Sequence, residues 1–394
     1  MLTAVEARRL VEQARSELIE LTQALIKTPT PNPPGQEEQA AWILKSKYDA
    51  EGLKAELIPE SRGRANIVTR LPGTGMAPSL LYDGHLDTVG PGDESAWTDP
   101  PYSGIIKDGR LWGRGASDMK AGVAAEAMAA ILAYRAGIEL AGDLIVASTC
   151  GEEMDNLGAH TLRNTGQLKG VGGIIIAEPS ANELFIAEKG TLWVEITTFG
   201  RTSHGSAPHM GINAVEKMLD LLADLRYFRP SDDKHPLLGE GTASLNILNG
   251  GFKTNVVPDR CTAIFDIRTV PGRSHQDIVT ALKTKLEQAH TADKDFRAEL
   301  KVIKDLPSVS TPESDNLVRL AQTVSRELWN REAKVGGISG YTDAAVLTPG
   351  TNIPFLIFGP GEMATAHQSN EYVDIEKLTD ATVFLLLLAA TWGR

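Results

Sequence analysis

The order of strands and helices is the feature that most limits what this chain can fold into. From about residue 64 to 186, short apolar runs alternate with helical patterns. NIVTRL, SLLYDG, DLIVAST and GGIIIAE read as strands, while MKAGVAAEAMAAILAYRAG and the stretch from Asn156 to Thr165 read as helices. That alternation predicts an α/β fold: a mostly parallel sheet with helices on both faces. Near residue 188 the texture changes. TLWVEITTF, NAVEKMLDLLADLRYF, TASLNILNG, RCTAIFDIRTV, SHQDIVTALKTKLEQAH and FRAELKVIKDL run strand, helix, strand, strand, helix, strand, the split pattern of a ferredoxin-like α+β domain. After Pro307 the alternation returns through DNLVRLAQTVSRELWN, AKVGGIS, PFLIFG and a final apolar helix. The expected domains are residues 1–187 with 304–394, and an inserted unit, 188–303, serving as lid, dimerisation surface or both.

Composition excludes several classes of partner. The 394 residues allow two cores. With a net charge of -12 and no basic tract, the chain lacks the electrostatic footprint of a nucleic-acid binder. The N-terminal 27 residues form an amphipathic helical pattern rich in Glu and Arg, without the unbroken apolar segment of a signal peptide. VFLLLLAATWGR at the other end is too short to span a bilayer. A cytoplasmic protein with no membrane partner is expected. Cys150 and Cys261 offer neither a disulfide framework nor thiolate metal spacing, and both read as reduced thiols. PTPNPPG at 29–35 is a rigid turn.

In open α/β sheets, ligands bind at the carboxyl ends of the strands. There the sequence places His85 and Asp87, then Glu152 and Glu153, then Glu178, then His367; Asp118 opens the long helix, where it or Ser117 could cap exposed N–H groups. Carboxylates and imidazoles gathered at one edge would repel and desolvate one another unless a multivalent cation sat among them. Nitrogen and oxygen donors without thiolate suit Zn²⁺, and also Co²⁺ or Mn²⁺. Asp87, on the same strand face as His85, would hydrogen-bond the second imidazole nitrogen. On an extended segment Glu152 and Glu153 would point opposite ways.

GHLDTV, GRGASDMKAG, CGEE, IIIAEPS, GRTSHGSAPHMGINAV, NVVPDRC followed by DIR, and FGPGEMATAHQSNEYV, in that order, resemble the zinc metallohydrolase family of acetylornithine deacetylase, succinyl-diaminopimelate desuccinylase, carboxypeptidase G and aminoacylase. The match spans nearly the whole chain, and its ending is most similar to the acetylornithine deacetylase branch. The resemblance implies a zinc-exopeptidase-like sheet and two Zn²⁺ ions bridged by Asp118. His85 and Glu178 would complete one shell, Glu153 and His367 the other. Glu152 matches the general acid/base and Asp87 the orienting carboxylate. His204, in the inserted unit, matches a histidine that stabilises the oxyanion, often from the partner subunit of a homodimer. Asn255 and Arg268 match substrate-contacting positions, Arg268 gripping a carboxylate. A cis bond between Asp118 and Met119 is also implied.

Other residues read as structural. His209 lies in the same loop as His204 but off the family position. His160, His235, His275 and His290 have no acid cluster nearby in sequence and read as surface residues. Cys150, beside Gly151 and Glu152, is not needed for a ligand set already complete. GGISGYTDAAVL (336–347) is on its own weak evidence for a phosphate cradle; the resemblance implies instead a loop that shapes the substrate pocket. The expected activity is removal of a small acyl group from an N-acyl amino acid in amino-acid biosynthesis. The alternatives are a carboxypeptidase or dipeptidase acting on short peptides, or a metal-binding homologue that has lost turnover.

Overall fold

The computed structural model describes residues 2–226, 228–230 and 234–394. It divides into two compact units: Met1–Ile186 with Ser310–Gly336 and Thr342–Arg394, and Ala187–Val309 with Gly337–Tyr341.

The sheet of the first unit runs in space through Ala55–Ser61, Arg64–Leu71, Leu144–Thr149, Ser79–His85, Val171–Ile176, Phe355–Ile357 and Leu184–Glu188. From Leu144–Thr149 to Phe355–Ile357 the strands are parallel, and their neighbours on either side are antiparallel. A parallel strand covered on both faces needs a continuous apolar run, and Ser79–His85 is buried at every position. Registers of His85 with Thr149 and Asp83 with Ile176 align the carboxyl ends. Residues at or just beyond those ends, 85–87, 150–153 and 177–178, are thereby delivered to one edge.

Helix Lys120–Arg135 is buried on all sides from Lys120 to Ala133, as its Ala-rich, apolar circumference requires. Its first turn approaches the sheet through Gly122, where a Cβ would lie 2.2 Å from the carbonyl oxygen of Ala177. Helix Ile375–Thr391 is also deeply buried, and the Tyr82 hydroxyl donates to the Leu385 carbonyl at 2.6 Å. The N-terminal helical pattern is two helices, Ala4–Gln13 and Arg15–Ile26; the first ends where Ala14 N–H turns in to the Val11 carbonyl. Among the described residues no helix is long and apolar enough to cross a membrane.

The second unit holds an antiparallel sheet in the order Thr242–Gly250, Arg260–Thr269, Gly190–Phe199, Arg297–Leu306. One sheet face packs on helices Ala214–Leu225 and His275–Ala292, burying Leu192, Val194, Ile196, Ala263, Met218 and Leu282 together. This is the expected ferredoxin-like order. The last strand stays paired with Gly190–Phe199 as far as Leu306, and the compact unit extends to Val309 rather than to residue 303. The helix expected to reach Phe228 is described to Leu225, and Tyr227 lies outside the described residues. His275 departs from its expected surface position: it is buried, with Nε2 2.8 Å from Thr269 Oγ1 and Nδ1 2.6 Å from Asp305 Oδ1. Its acidic neighbour is supplied by a strand 30 residues away in sequence.

Candidate metal centre

At the carboxyl edge of the parallel strands, His85, Asp118 and Glu178 form one cluster, and Asp118, Glu153 and His367 a second. In each, one ligand atom per residue lies within 4.8 Å of the others. Asp118 belongs to both. Its Oδ1 is 3.2 Å from Nε2 of His85 and its Oδ2 3.3 Å from Nε2 of His367. Glu178 stands 3.5 Å from the same His85 nitrogen, and Glu153 3.2 Å from that of His367. The first cluster is closed from solvent, whereas the His367 side chain is half exposed.

The charges show what this arrangement suits. Burial alone would depress His85, but Glu178 and Asp118 overcome it and hold the imidazole well above its usual range. His367 is raised to about 10 by Asp118 and Glu153. Burial, and then Asp118, push Glu178 up to about 8; burial, and then Glu178, push Glu152 well up. Against the opposing pull of burial, His367 and His85 hold Asp118 well below its usual range; with both imidazoles drawn towards the cation and Glu178 and Glu152 towards the neutral form, the pocket suits more positive charge than its side chains supply. Nitrogen and oxygen donors sharing one carboxylate fit a pair of divalent cations.

Backbone hydrogen bonds hold the donors in place. Nδ1 of His85 lies 2.9 Å from the carbonyl oxygen of Asp87, which fixes Nε2 as the nitrogen facing the cluster. The expected acceptor was the Asp87 carboxylate, which stands 3.7 Å away. That carboxylate instead gathers a loop: Oδ1 accepts from the N–H groups of Gly151 and Glu152 at 2.9 and 3.1 Å, and Oδ2 from Glu153 N–H at 3.2 Å and Asn32 Nδ2 at 2.9 Å. The Glu152–Glu153 segment is a turn rather than an extended strand. Glu153 accepts from Val89 N–H at 3.1 Å and faces His367, while Glu152 is buried.

The Asp118–Met119 bond is cis. Neither Ser117 nor Asp118 caps the following helix, whose N-cap is Met119 without a side-chain bond; Asp118 is spent on the imidazoles, and Ser117 Oγ donates to the Glu362 carbonyl at 2.9 Å. Sequence reasoning missed the group that holds this segment. Glu371 Oε1 accepts from Ser117 and Asp118 N–H at 2.7 and 2.9 Å, and Oε2 pairs with fully buried Arg114. Asn32 and Asp343 were also missed. Asn32 sits in the proline-rich turn, where an Asn between prolines gives no sign of a partner, and Asp343 lies in the glycine-rich stretch read only as a loop.

In the second unit His204 and Asn255 are neighbours. Gly205 N–H donates to the Asn255 carbonyl at 2.8 Å, and His204 Nδ1 lies 2.7 Å from Ser206 Oγ, both residues being exposed. Arg268 is at the other end of the strand pair, opposite Thr191, where Asp266 engages its Nε and Nη2 and Thr191 Oγ1 accepts from Nη1 at 2.6 Å.

A family model described as Peptidase family M20/M25/M40 matches residues 81–391. The chain belongs to this family. Among curated relatives, a probable succinyl-diaminopimelate desuccinylase of Staphylococcus epidermidis is 31% identical over 391 residues, covering 91% of this chain and 94% of that protein. The N-formyl-4-amino-5-aminomethyl-2-methylpyrimidine deformylase of Bacillus subtilis is 29% identical over 415 residues, covering 97% and 96%. Among solved structures, an M20 family metallo-carboxypeptidase of Sulfolobus solfataricus superposes with a TM-score of 0.80 at 18% identity, covering 96% of this chain and 99% of that one. The fold is thus that of M20 metallohydrolases.

Proposed function

We propose that the chain is a dinuclear zinc amidohydrolase that removes a small acyl group, acetyl or succinyl, from an N-acyl amino acid, leaving a carboxylic acid and a free amine. The observation that carries this reading is Asp118, whose two oxygens face imidazoles of different clusters, with buried Glu152 next in the chain to Glu153 of the second cluster. Zn²⁺ ions held there, or Co²⁺ or Mn²⁺ in their place, would polarise the scissile carbonyl and acidify the attacking water. Glu152 takes the proton of that water and delivers it to the departing amine, a role that suits a carboxyl pushed upward by burial and then by Glu178. Asp87 holds the three N–H groups of the loop, so Glu152 meets the water without a search.

Arg268 grips a substrate carboxylate, which enters in competition with Asp266. His204 supplies the oxyanion donor and Asn255 a substrate contact. Arg268 and the His204–Asn255 pair lie at opposite ends of paired strands, roughly 25 Å apart by extended-chain length, too far for one small substrate to meet both within one copy of the unit. That separation supports a homodimer in which each site takes His204 and Asn255 from its partner. The edge strand Thr242–Gly250, whose outer side has no strand partner among the described residues, exposes Leu245, Ile247 and Leu248 and supports the same association. We place the enzyme in the cytoplasm.

The two curated relatives are both named for taking an acyl group off nitrogen, which favours deacylase over peptidase. Amine release by zinc- or cobalt-reloaded protein across N-acetyl, N-succinyl and N-formyl amino acids and a few dipeptides tests the reading. Turnover of one acyl-amino acid class is expected. Hydrolysis of the dipeptides alone would move the assignment to a dipeptidase or carboxypeptidase, and silence of a metal-replete protein would leave a binding homologue. Activity regained on mixing His204→Ala with Glu152→Ala protein is the outcome expected of a shared site.

A further inference from the structure

Asp343 has no role in the chemistry described above, yet it is 2% exposed and placed beside the loop that carries Glu152 and Glu153. Its Oδ2 accepts from Thr149 Oγ1 at 2.8 Å and its Oδ1 from Asn156 Nδ2 at 3.0 Å. Thr149 is the last residue of its strand, and Asn156 precedes the helix Leu157–Asn164. Between them lies only the turn Cys150–Asp155. One buried carboxylate therefore pins both ends of the segment bearing the proposed base and a proposed metal ligand, while Asp87 holds its middle.

The local chemistry of Asn156 argues that this contact is not a by-product of helix capping. Asn at a helix N-cap ordinarily turns its side-chain oxygen onto the first free N–H groups. Asn156 makes no such bond, holds a left-handed backbone at φ 51°, and its buried Oδ1 has no hydrogen-bond partner among the described residues. Its amide is given instead to a residue 187 positions further along the chain. Burying a carboxylate against two neutral donors is costly. Aspartate fits because Thr149 Oγ1 and Asn156 Nδ2 both donate here and each carboxylate oxygen accepts one of them.

We infer that Asp343 is a positioning residue: it clamps the Cys150–Asp155 turn at both ends and thereby sets where Glu152 and Glu153 stand. The inference rests on Glu152 and Glu153 having the roles proposed above. It predicts that position 343 supplies hydrogen bonds to both ends of the turn. In Asp343→Ala both contacts are lost and the turn loosens. In Asp343→Asn the amide oxygen accepts from Asn156 Nδ2 and the amide nitrogen donates to Thr149 Oγ1, so both ends stay held.

The test combines steady-state kinetics on the best substrate of the panel with hydrogen–deuterium exchange of the metal-free protein over residues 150–156. For Asp343→Ala, kcat is expected to fall 10–100-fold with KM within about threefold and metal content unchanged. Exchange at 151–153 should quicken at least tenfold, and Asp343→Asn should stay within about threefold of wild type in both. Unchanged exchange in Asp343→Ala, or an Asp343→Asn protein as impaired as Asp343→Ala, overturns the inference whatever the hydrolysis assay gives. A wild type that hydrolyses nothing on the panel defeats the functional reading instead, and the exchange comparison still decides the role of Asp343.

Discussion

Gly122→Ala should leave the fold stable and cripple the site. In an ordinary helix this change gains about 1 kcal/mol in helix propensity. Here the new Cβ would sit 2.2 Å from the Ala177 carbonyl oxygen and 2.7 Å from the Ala177 Cβ. Real contacts of this kind need more than 3 Å, so the helix and the strand exit must part by about 1 Å. Both are backbone, and both are tightly packed. Overpacking of this size costs about 1–3 kcal/mol, which offsets the propensity gain and predicts a net loss of no more than about 2 kcal/mol. Chemistry is less forgiving. Glu178 is the next residue after Ala177, and Asp118 lies four residues before Gly122, so the separation opens the His85–Asp118–Glu178 cluster directly. A 1 Å misplacement at reacting groups is worth about 10²-fold. The assay is a metal titration by calorimetry alongside kcat and a thermal melt of metal-free protein. The expected result is weakened binding at one ion site, retained binding at the Glu153–His367 site, kcat down about 100-fold and a melting temperature within a few degrees. Full activity with two tight metal equivalents would refute the claim that this glycine sets the position of Glu178.

Glu152→Gln should lower kcat by about 10²–10⁴-fold while metal content, measured by atomic absorption, stays that of wild type; equal activity would remove Glu152 from the mechanism. Arg268→Ala should raise KM for carboxylate-bearing substrates about 30-fold, the loss of roughly 2 kcal/mol of charge-assisted binding, with kcat little changed, and a kcat effect without a KM effect would contradict its assignment to substrate binding. On the surface, Arg135 and then Lys47 hold the Glu17 carboxyl down at about 2 from its ordinary 4.5, against the opposing pull of burial. A depressed carboxylate contributes stability above its unfolded value and loses it as pH falls through the folded value. Glu17→Gln should therefore flatten part of the acid limb of the melting temperature between about pH 4.5 and 2, by no more than about 1 kcal/mol because the group is partly exposed. Parallel wild-type and variant curves in that window would show that the pair adds nothing.

What the sequence made legible was whatever lies close in sequence to a readable element. The apolar runs placed His85, Glu153 and Glu178 at strand ends, and the alignment of those ends by parallel register does the rest. The split βαββαβ order also survives intact in the sheet. Contacts made across long separations left no such trace. Asp343 meets partners 187 and 194 residues away, Glu371 holds Asp118 from 253 away, and Asn32 reaches Asp87 from 55 away. Nothing about an acid in a glycine-rich loop or an Asn among prolines distinguishes it from a solvated one. His275 was misjudged for the same reason, its acid arriving on a strand 30 residues on.

Asp87 shows a finer limit, because the contact with His85 is made by a different atom of the residue than the one expected. A side chain two positions along a strand shares the face of His85, which made the carboxylate the natural acceptor. Past the strand end the chain turns, so the Asp87 carbonyl faces the ring and the carboxylate reaches the Gly151–Glu153 amides. One residue then orients His85 through its main chain and Glu152 through its side chain. Replacing Asp87 by Asn would leave the first contact untouched and disturb only the second. A variant that kept its metals and lost its turnover would separate the two.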